Sequence, residues 1–200
     1  MSYLVLFPVL GYLCGSLPFS IWITRLVKGV DVRDSGSGHA TTTNTIRQAG
    51  FGWGALVFIL DVSKGFAPTY IATNLNGSSY YLVALTAACA VAGHCWPVFA
   101  RFRGGMGLAT MGGSLLAVSP PATLVCLAIL ISLVLLIRHS ARASVLTGLC
   151  AAPVLWLFHF RDAVFWMAVF GGLVIVVRFL IDWNRQYREL WLDRDQAERS

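Results

Sequence analysis

Seven apolar stretches, at about Tyr3–Val27, Phe51–Thr73, Tyr80–Ala100, Gly105–Val118, Pro121–Ile137, Ala143–Phe158 and Ala163–Ile181, take up most of this 200-residue chain. A helix crosses a bilayer with roughly 20 apolar residues, or with fewer when it is kinked and sheltered by neighbours. With 57% of its residues apolar and 12% charged, the chain carries too much apolar surface for a water-soluble globule. It reads as one all-α, polytopic integral membrane domain over residues 1–200, with about seven transmembrane helices. The fourth stretch is short and Gly-rich, so a half-helix or broken element is expected there. The first lacks a basic leading segment and a small-residue cleavage site, so it is expected to remain as a helix rather than to be removed as a signal peptide.

The basic residues orient this bundle. Of fifteen Lys and Arg, all but Lys64 and Arg161 fall in alternate connections or in the tail: Arg25, Lys28, Arg33 and Arg47 around the first, Arg101 and Arg103 in the next, then Arg138 and Arg142, and Arg178, Arg185, Arg188, Arg194 and Arg199 at the end. Lys and Arg accumulate in short cytoplasmic loops. The amino terminus is therefore expected outside and the carboxyl terminus in the cytoplasm, across a cell (inner) membrane. The net charge of +6 follows from this bias and from attraction to anionic headgroups, so nucleic acid is not an expected partner. The tail, about 182–200, interleaves Trp, Tyr and Leu with Arg, as an interfacial helix does. The five cysteines show no CxxC spacing and are read as small buried hydrophobes.

Against this apolar background three polar constellations stand out. The first is a cytoplasmic loop of about 28–50 containing "DVRDSGSGHATTTNTIRQAG". Gly36 and Gly38 allow backbone N–H groups to converge, Ser37 and Thr41, Thr42 and Thr43 add hydroxyls, and Arg47 adds a two-pronged cation. Such a set suits phosphate, although a flexible Ser/Gly/Thr linker has a similar composition. The second is "GHCWPVFARFRGGMGLAT", Gly93 to Thr110, where glycines open a helix beside His94 and two arginines. Backbone N–H groups and the positive helix end suit an anion there; a tight turn with a core histidine is the simpler alternative. The third is "LDVSKG", with Asp61 and Lys64 on one helical face inside a span. Ionisable residues in a span mark function by default, or else a mutually neutralising packing pair.

These three segments, D-x-R-x-x-GSG-x-x-x-x-TN-x-x-R (Asp31 to Arg47), D-x-x-KG (Asp61 to Gly65) and GHxxPxFxxFxGGxGxAT (Gly93 to Thr110), resemble in order and spacing the motifs of the bacterial acyl-phosphate-dependent glycerol-3-phosphate acyltransferases. The resemblance covers nearly the whole chain. It implies a seven-helix inner-membrane enzyme of phospholipid synthesis, moving an acyl group from acyl phosphate to the 1-hydroxyl of glycerol 3-phosphate and releasing lysophosphatidic acid and phosphate. No metal or cofactor is implied, and the partners are the two substrates and membrane lipids. It also implies that Ser37, Gly38, Thr43, Asn44 and Arg47 hold phosphate, with Lys64, His94, Arg103, Gly104 and Gly105 completing the site. Acyl phosphate is already an activated anhydride, so positioning and charge stabilisation carry most of the demand. His94 is the catalytic candidate as general base; an oxygen of the donor phosphate is the alternative.

The chain also departs from the family pattern. GSGNxGATN has His39, Thr41 and Thr42 in place of Asn, Gly and Ala, and GGKG has become GGMG with Met106. Ala141 stands where Ser is expected, although Ser144 follows, and Phe179 and Asp182 stand where His and Asn are expected. A non-catalytic relative that binds lysophospholipid or acyl phosphate, and a small transporter using Asp61, Lys64 and His94, are the alternatives. The charge distribution makes a direct prediction about topology: a cysteine reporter in "NLNGSSYY" is labelled from outside and one at position 103 from the cytoplasm. Labelling of both from one side would overturn the arrangement.

Overall fold

The computed structural model describes residues 3–75 and 79–184; from residue 185 onward the expected interfacial tail lies outside the described residues. Nine α-helices are present among them: α1 (Tyr3–Gly15), α2 (Phe19–Lys28), α3 (Thr42–Ala49), α4 (Phe51–Thr73), α5 (Tyr80–Cys95), α6 (Leu108–Val118), α7 (Pro120–Ile137), α8 (Ser140–Leu157) and α9 (Asp162–Leu180). Among the described residues six stretches are long and apolar enough to cross a membrane: Tyr3–Lys28 counted through its break, Phe51–Thr73, Tyr80–Ala100, Pro120–Ile137, Ser140–Leu157 and Asp162–Leu180. The fourth expected span is helix α6, at 11 residues about 16 Å long, or half the hydrocarbon thickness.

Two features differ from a reading by hydropathy. The first span is not one helix but two, broken at Ser16–Pro18. Proline has no N–H to continue the ladder and disfavours helical backbone at the residue before it. The Ile21 amide bonds Pro18 O at 3.0 Å, which leaves the Leu17 carbonyl for Lys64, whose Nζ lies 3.0 Å away. The second difference is α3, a helix inside the motif loop. Its cap is local: Thr41 is extended, and its hydroxyl accepts from the Asn44 amide at 3.2 Å.

Packing follows from small residues. Helix α1 lies along α5, α4 along α6, and α9 against both α5 and α8. A Cβ on Gly15 would run into the Ala90 backbone, and one on Gly113 into that of Val62. Close approach of this kind is the usual substitute for a hydrophobic driving force between helices in lipid. Helix α5 is the most enclosed, with Ala84, Ala87, Ala90 and Val91 fully buried. Helix α7 is peripheral: Leu124, Leu127, Ile131, Leu135 and Leu136 are exposed, as a lipid-facing surface requires. Of the cysteines, which are all free, only Cys95 is buried and Cys150 is exposed.

Candidate active site

The motif loop, residues 29–41, has no ladder of its own, and Asn44 supplies one. Its side-chain Nδ2 faces the carbonyls of Val32, Ser35 and His39 at 2.6, 3.1 and 3.1 Å, and its Oδ1 accepts from the Ser37 amide at 3.3 Å. Gly36, at φ 62°, passes so close that a Cβ there would strike Asn44 Oδ1. Arg33 then fastens the loop to the second motif. Its Nε and Nη2 donate to Asp31 at 2.9 and 2.7 Å, and its Nη1 reaches Ala100 O at 2.9 Å and Arg103 O at 3.1 Å. The Arg33 guanidinium holds the Asp31 carboxyl well below the usual carboxylate range.

The loop and helices enclose a cavity of about 350 Å³. Ser37, Thr41, Thr42, Thr43 and Arg47 of the motif loop and α3 line it, together with Asp61 and His94 and with Met106, Gly107, Ser140, Ser144 and Phe179. Arg47 Nε and Thr42 Oγ1 are buried there with no protein partner among the described residues. Three helices begin on this cavity: α3 at Thr42, α6 at Leu108 behind Gly107 at φ 85°, and α8 at Ser140. The first-turn N–H groups of a helix have no intrahelical acceptor and carry partial positive charge. One cation and three helix ends thus face a space bordered by hydroxyls, which suits a phosphate group.

Behind the cavity lies a buried charged chain. Lys64 Nζ is 2.8 Å from Asp61 Oδ1, which is 3.6 Å from His94 Nδ1. Lys64 also stands over the Phe19 ring at 5.7 Å. His94 Nε2 is against Gly105, where a Cβ would collide with it. Asp61 is therefore neutralised by Lys64, and His94, which lines the cavity, has its Nδ1 buried beside Asp61 with no hydrogen-bond partner among the described residues. The other side of this chain closes on a small crevice lined by Lys64, His94, Gly104 and Gly105.

The residues singled out from sequence thus separate into groups. Ser37, Thr43, Arg47 and His94 line the main cavity. Lys64, Gly104 and Gly105 stand behind it. Three fall elsewhere. The amide of Asn44 serves the loop backbone, with no exposed surface; Gly38 takes a positive φ of 70° in the turn and is not a lining residue; and Arg103 is exposed, offering its carbonyl to Arg33. Sequence reasoning assigned no role to Ser140, to the His39 side chain or to Arg178. The spacing of Ser140 and Ser144 on a helix start was the one available signal.

The main cavity continues into an apolar groove of about 390 Å³, with which it shares Phe58, Leu108, Ala109 and Leu130. Val62, Leu115, Cys126, Ala151 and Ile175 line the groove further in.

Residues 5–189 match the family model described as Glycerol-3-phosphate acyltransferase. The glycerol-3-phosphate acyltransferase of Thermotoga petrophila is 40% identical over 175 residues, covering 88% of this chain and 85% of that protein. That of Aquifex aeolicus is 37% identical over 177 residues, covering 88% and 92%. Two crystal structures of PlsY (YgiH), an integral membrane glycerol 3-phosphate acyltransferase, superpose on the chain. The glycerol 3-phosphate form has a TM-score of 0.80 at 35% identity, covering 92% of each chain. The lysophosphatidic acid form has 0.79 at 34%, covering 92% and 91%.

The geometry separates two arginines that the sequence groups together. Arg47→Ala, which removes a buried charged donor, is expected to weaken binding of a phosphate-bearing substrate by roughly tenfold to a hundredfold, equivalent to about 1.5–3 kcal/mol. Arg103→Ala should change it less than about threefold, as a solvated charge does. Calorimetric titration of the detergent-purified variants with glycerol 3-phosphate checks this; equal losses would place Arg103 at the ligand.

Proposed function

The chain belongs to the glycerol-3-phosphate acyltransferase family, and on that premise we propose that it transfers an acyl group from acyl phosphate to the 1-hydroxyl of glycerol 3-phosphate, giving lysophosphatidic acid. The continuity of the hydroxyl- and arginine-lined cavity with the apolar groove carries this reading. A soluble phosphate ester needs only the first. A phosphate joined to a fatty chain needs both.

In this reading the phosphate groups lie on Arg47, Ser37, Thr42, Thr43 and the starts of α3, α6 and α8. The acyl chain lies in the groove, and the carbonyl between them falls near Gly107 and Leu108. Attack by the 1-hydroxyl forms the new ester bond, breaks the acyl–phosphate bond and releases phosphate with the electron pair. The hydroxyl proton passes to His94, which lines the cavity with Asp61 at 3.6 Å from its Nδ1, or to an oxygen of the donor phosphate. Negative charge gathers on the leaving phosphate as the bond breaks, and fixed helix ends and Arg47 stabilise it without reorganisation.

The membrane orientation belongs to the same proposal. Arg33, Arg101, Arg103 and Arg138 in connections, Arg47 in α3 and Arg142 in the first turn of α8 lie at the cavity end of the bundle, whereas Arg161 lies at the other, over the Trp156 ring at 3.6 Å. The positive-inside bias supports a cytoplasmic cavity, an outside amino terminus and residence in the cell inner membrane.

Purified protein given acyl phosphate and glycerol 3-phosphate is expected to release lysophosphatidic acid, and acyl-CoA in place of acyl phosphate to give none. Transfer from acyl-CoA alone would overturn the donor assignment. Met106 lines the cavity with a thioether, so Met106→Lys adds an ammonium beside the phosphate site. Transfer should rise by about tenfold, or roughly 1.4 kcal/mol of barrier; a fall with unchanged thermal stability would take position 106 away from the phosphate.

A further inference from the structure

His39 and Asp182 are 143 positions apart in the chain, yet His39 Nε2 lies 2.8 Å from Asp182 Oδ2. Arg178 completes the cluster. Its Nη1 donates to Asp182 Oδ2 at 3.2 Å, its Nη2 meets His39 Nδ1 at 3.1 Å, and its Nε donates to Gly105 O at 2.9 Å. All three side chains are buried, at 5–8% exposure. A guanidinium can only donate. His39 Nδ1 therefore accepts from Arg178, so Nε2 carries the ring proton and donates to the Asp182 carboxylate. Each ring nitrogen has one role, and each nitrogen of Arg178 has a partner within the protein.

The cluster joins three pieces of the site. His39 lies in the motif loop and its ring lines the main cavity. Gly105 lies in the turn before α6, and Ala40, next to His39, donates to Gly104 O at 3.3 Å. Arg178 and Asp182 lie at the end of α9. We propose that His39, Asp182 and Arg178 form a clasp that fixes the motif loop against the 104–107 turn, making His39 and Asp182 positioning residues for glycerol 3-phosphate. The clasp also gives the two departures from the family pattern a joint physical meaning: an imidazole and a carboxylate meet as donor and acceptor where two amides are expected. The inference rests on the acyl-transfer reading for what is positioned, and on this geometry alone for how.

The test is a double-mutant cycle with His39→Asn, Asp182→Asn and the pair. Asparagine at 39 is shorter than histidine and its amide falls short of Asp182, whereas asparagine at 182 removes the charge that draws in the His39 N–H and Arg178, so either change loosens the loop that the pair held. Each single variant is expected to raise KM for glycerol 3-phosphate by about tenfold with kcat little changed, because misplacement of a binding loop acts on affinity. Asp182→Asn, which takes the counter-charge from buried Arg178, also lowers the thermal midpoint, so KM and not stability is read across the cycle. In the double variant the contact is already lost, so KM should rise no further than in the more affected single variant. Additive losses in the double variant, or singles that leave KM unchanged, would overturn the clasp. If the parent protein binds glycerol 3-phosphate but transfers nothing, the acyl-transfer reading fails and the same cycle is read on calorimetric Kd for glycerol 3-phosphate. Coupling there supports the clasp, and additivity overturns it.

Discussion

Irregular backbone inside a membrane protein survives only where protein or enclosed water satisfies its polar groups. Among the described residues the two longest such segments between helices, 29–41 and 96–107, bond to one another. Ala40 donates to Gly104 O, the Gly104 and Gly105 amides turn back on Cys95 O and His94 O, and Arg33 and Arg178 fill remaining carbonyls at Ala100, Arg103 and Gly105. Asn44 completes the arrangement within the first segment. The cavity is a consequence: two broken segments held together leave the starts of α3 and α6 facing the same space.

That space is electropositive for a reason that a count of arginines does not show. Among its lining residues the permanently cationic side chain is Arg47. Arg178 stands beside the cavity, but its charge is balanced by Asp182 at 3.2 Å, and Lys64 is balanced by Asp61 at 2.8 Å. Breaking either buried pair would leave an uncompensated charge, costing about 3–5 kcal/mol. The remaining positive potential belongs to helix ends, which cannot be titrated and need no counter-charge from the protein. In the proposed reaction a ligand phosphate supplies the negative charge that the cavity lacks.

Hydropathy and loop charge made the membrane helices legible, including the half-length α6, because bilayer thickness acts on every residue of a span. The three polar segments were legible for the same reason: each is costly in lipid unless something is gained. Direction was not legible. Asn44 and Arg47 are three residues apart in α3, and the backbone alone decides that Asn44 points into the loop and Arg47 into the cavity. Arg103 looked equivalent to Arg47 by type and lies exposed. The helix in the loop was signalled by Thr41 and Gly50 at its two ends, but a stretch so rich in hydroxyls hid its period. Contacts such as His39 with Asp182 depend on how α9 ends against the loop, and no local pattern encodes that.

The short α6 ties these levels together. Its first turn, from Leu108, faces the Arg47-lined cavity, while Leu108, Ala109, Met111, Gly112, Leu115 and Leu116 along its length line the apolar groove. A full-length helix would carry one kind of environment from interface to interface. Eleven residues reach only about halfway across the hydrocarbon, so a single element presents a positive end and, within about 3 Å of rise, an apolar flank. An acyl phosphate changes from dianion to hydrocarbon over a similar distance, across one carbonyl carbon. In the proposed reaction the bond to be broken then falls at the start of α6, where Gly107 takes a positive φ of 85° and packs without a Cβ against Val91 and Cys95, leaving the first-turn N–H groups to meet the leaving oxygen.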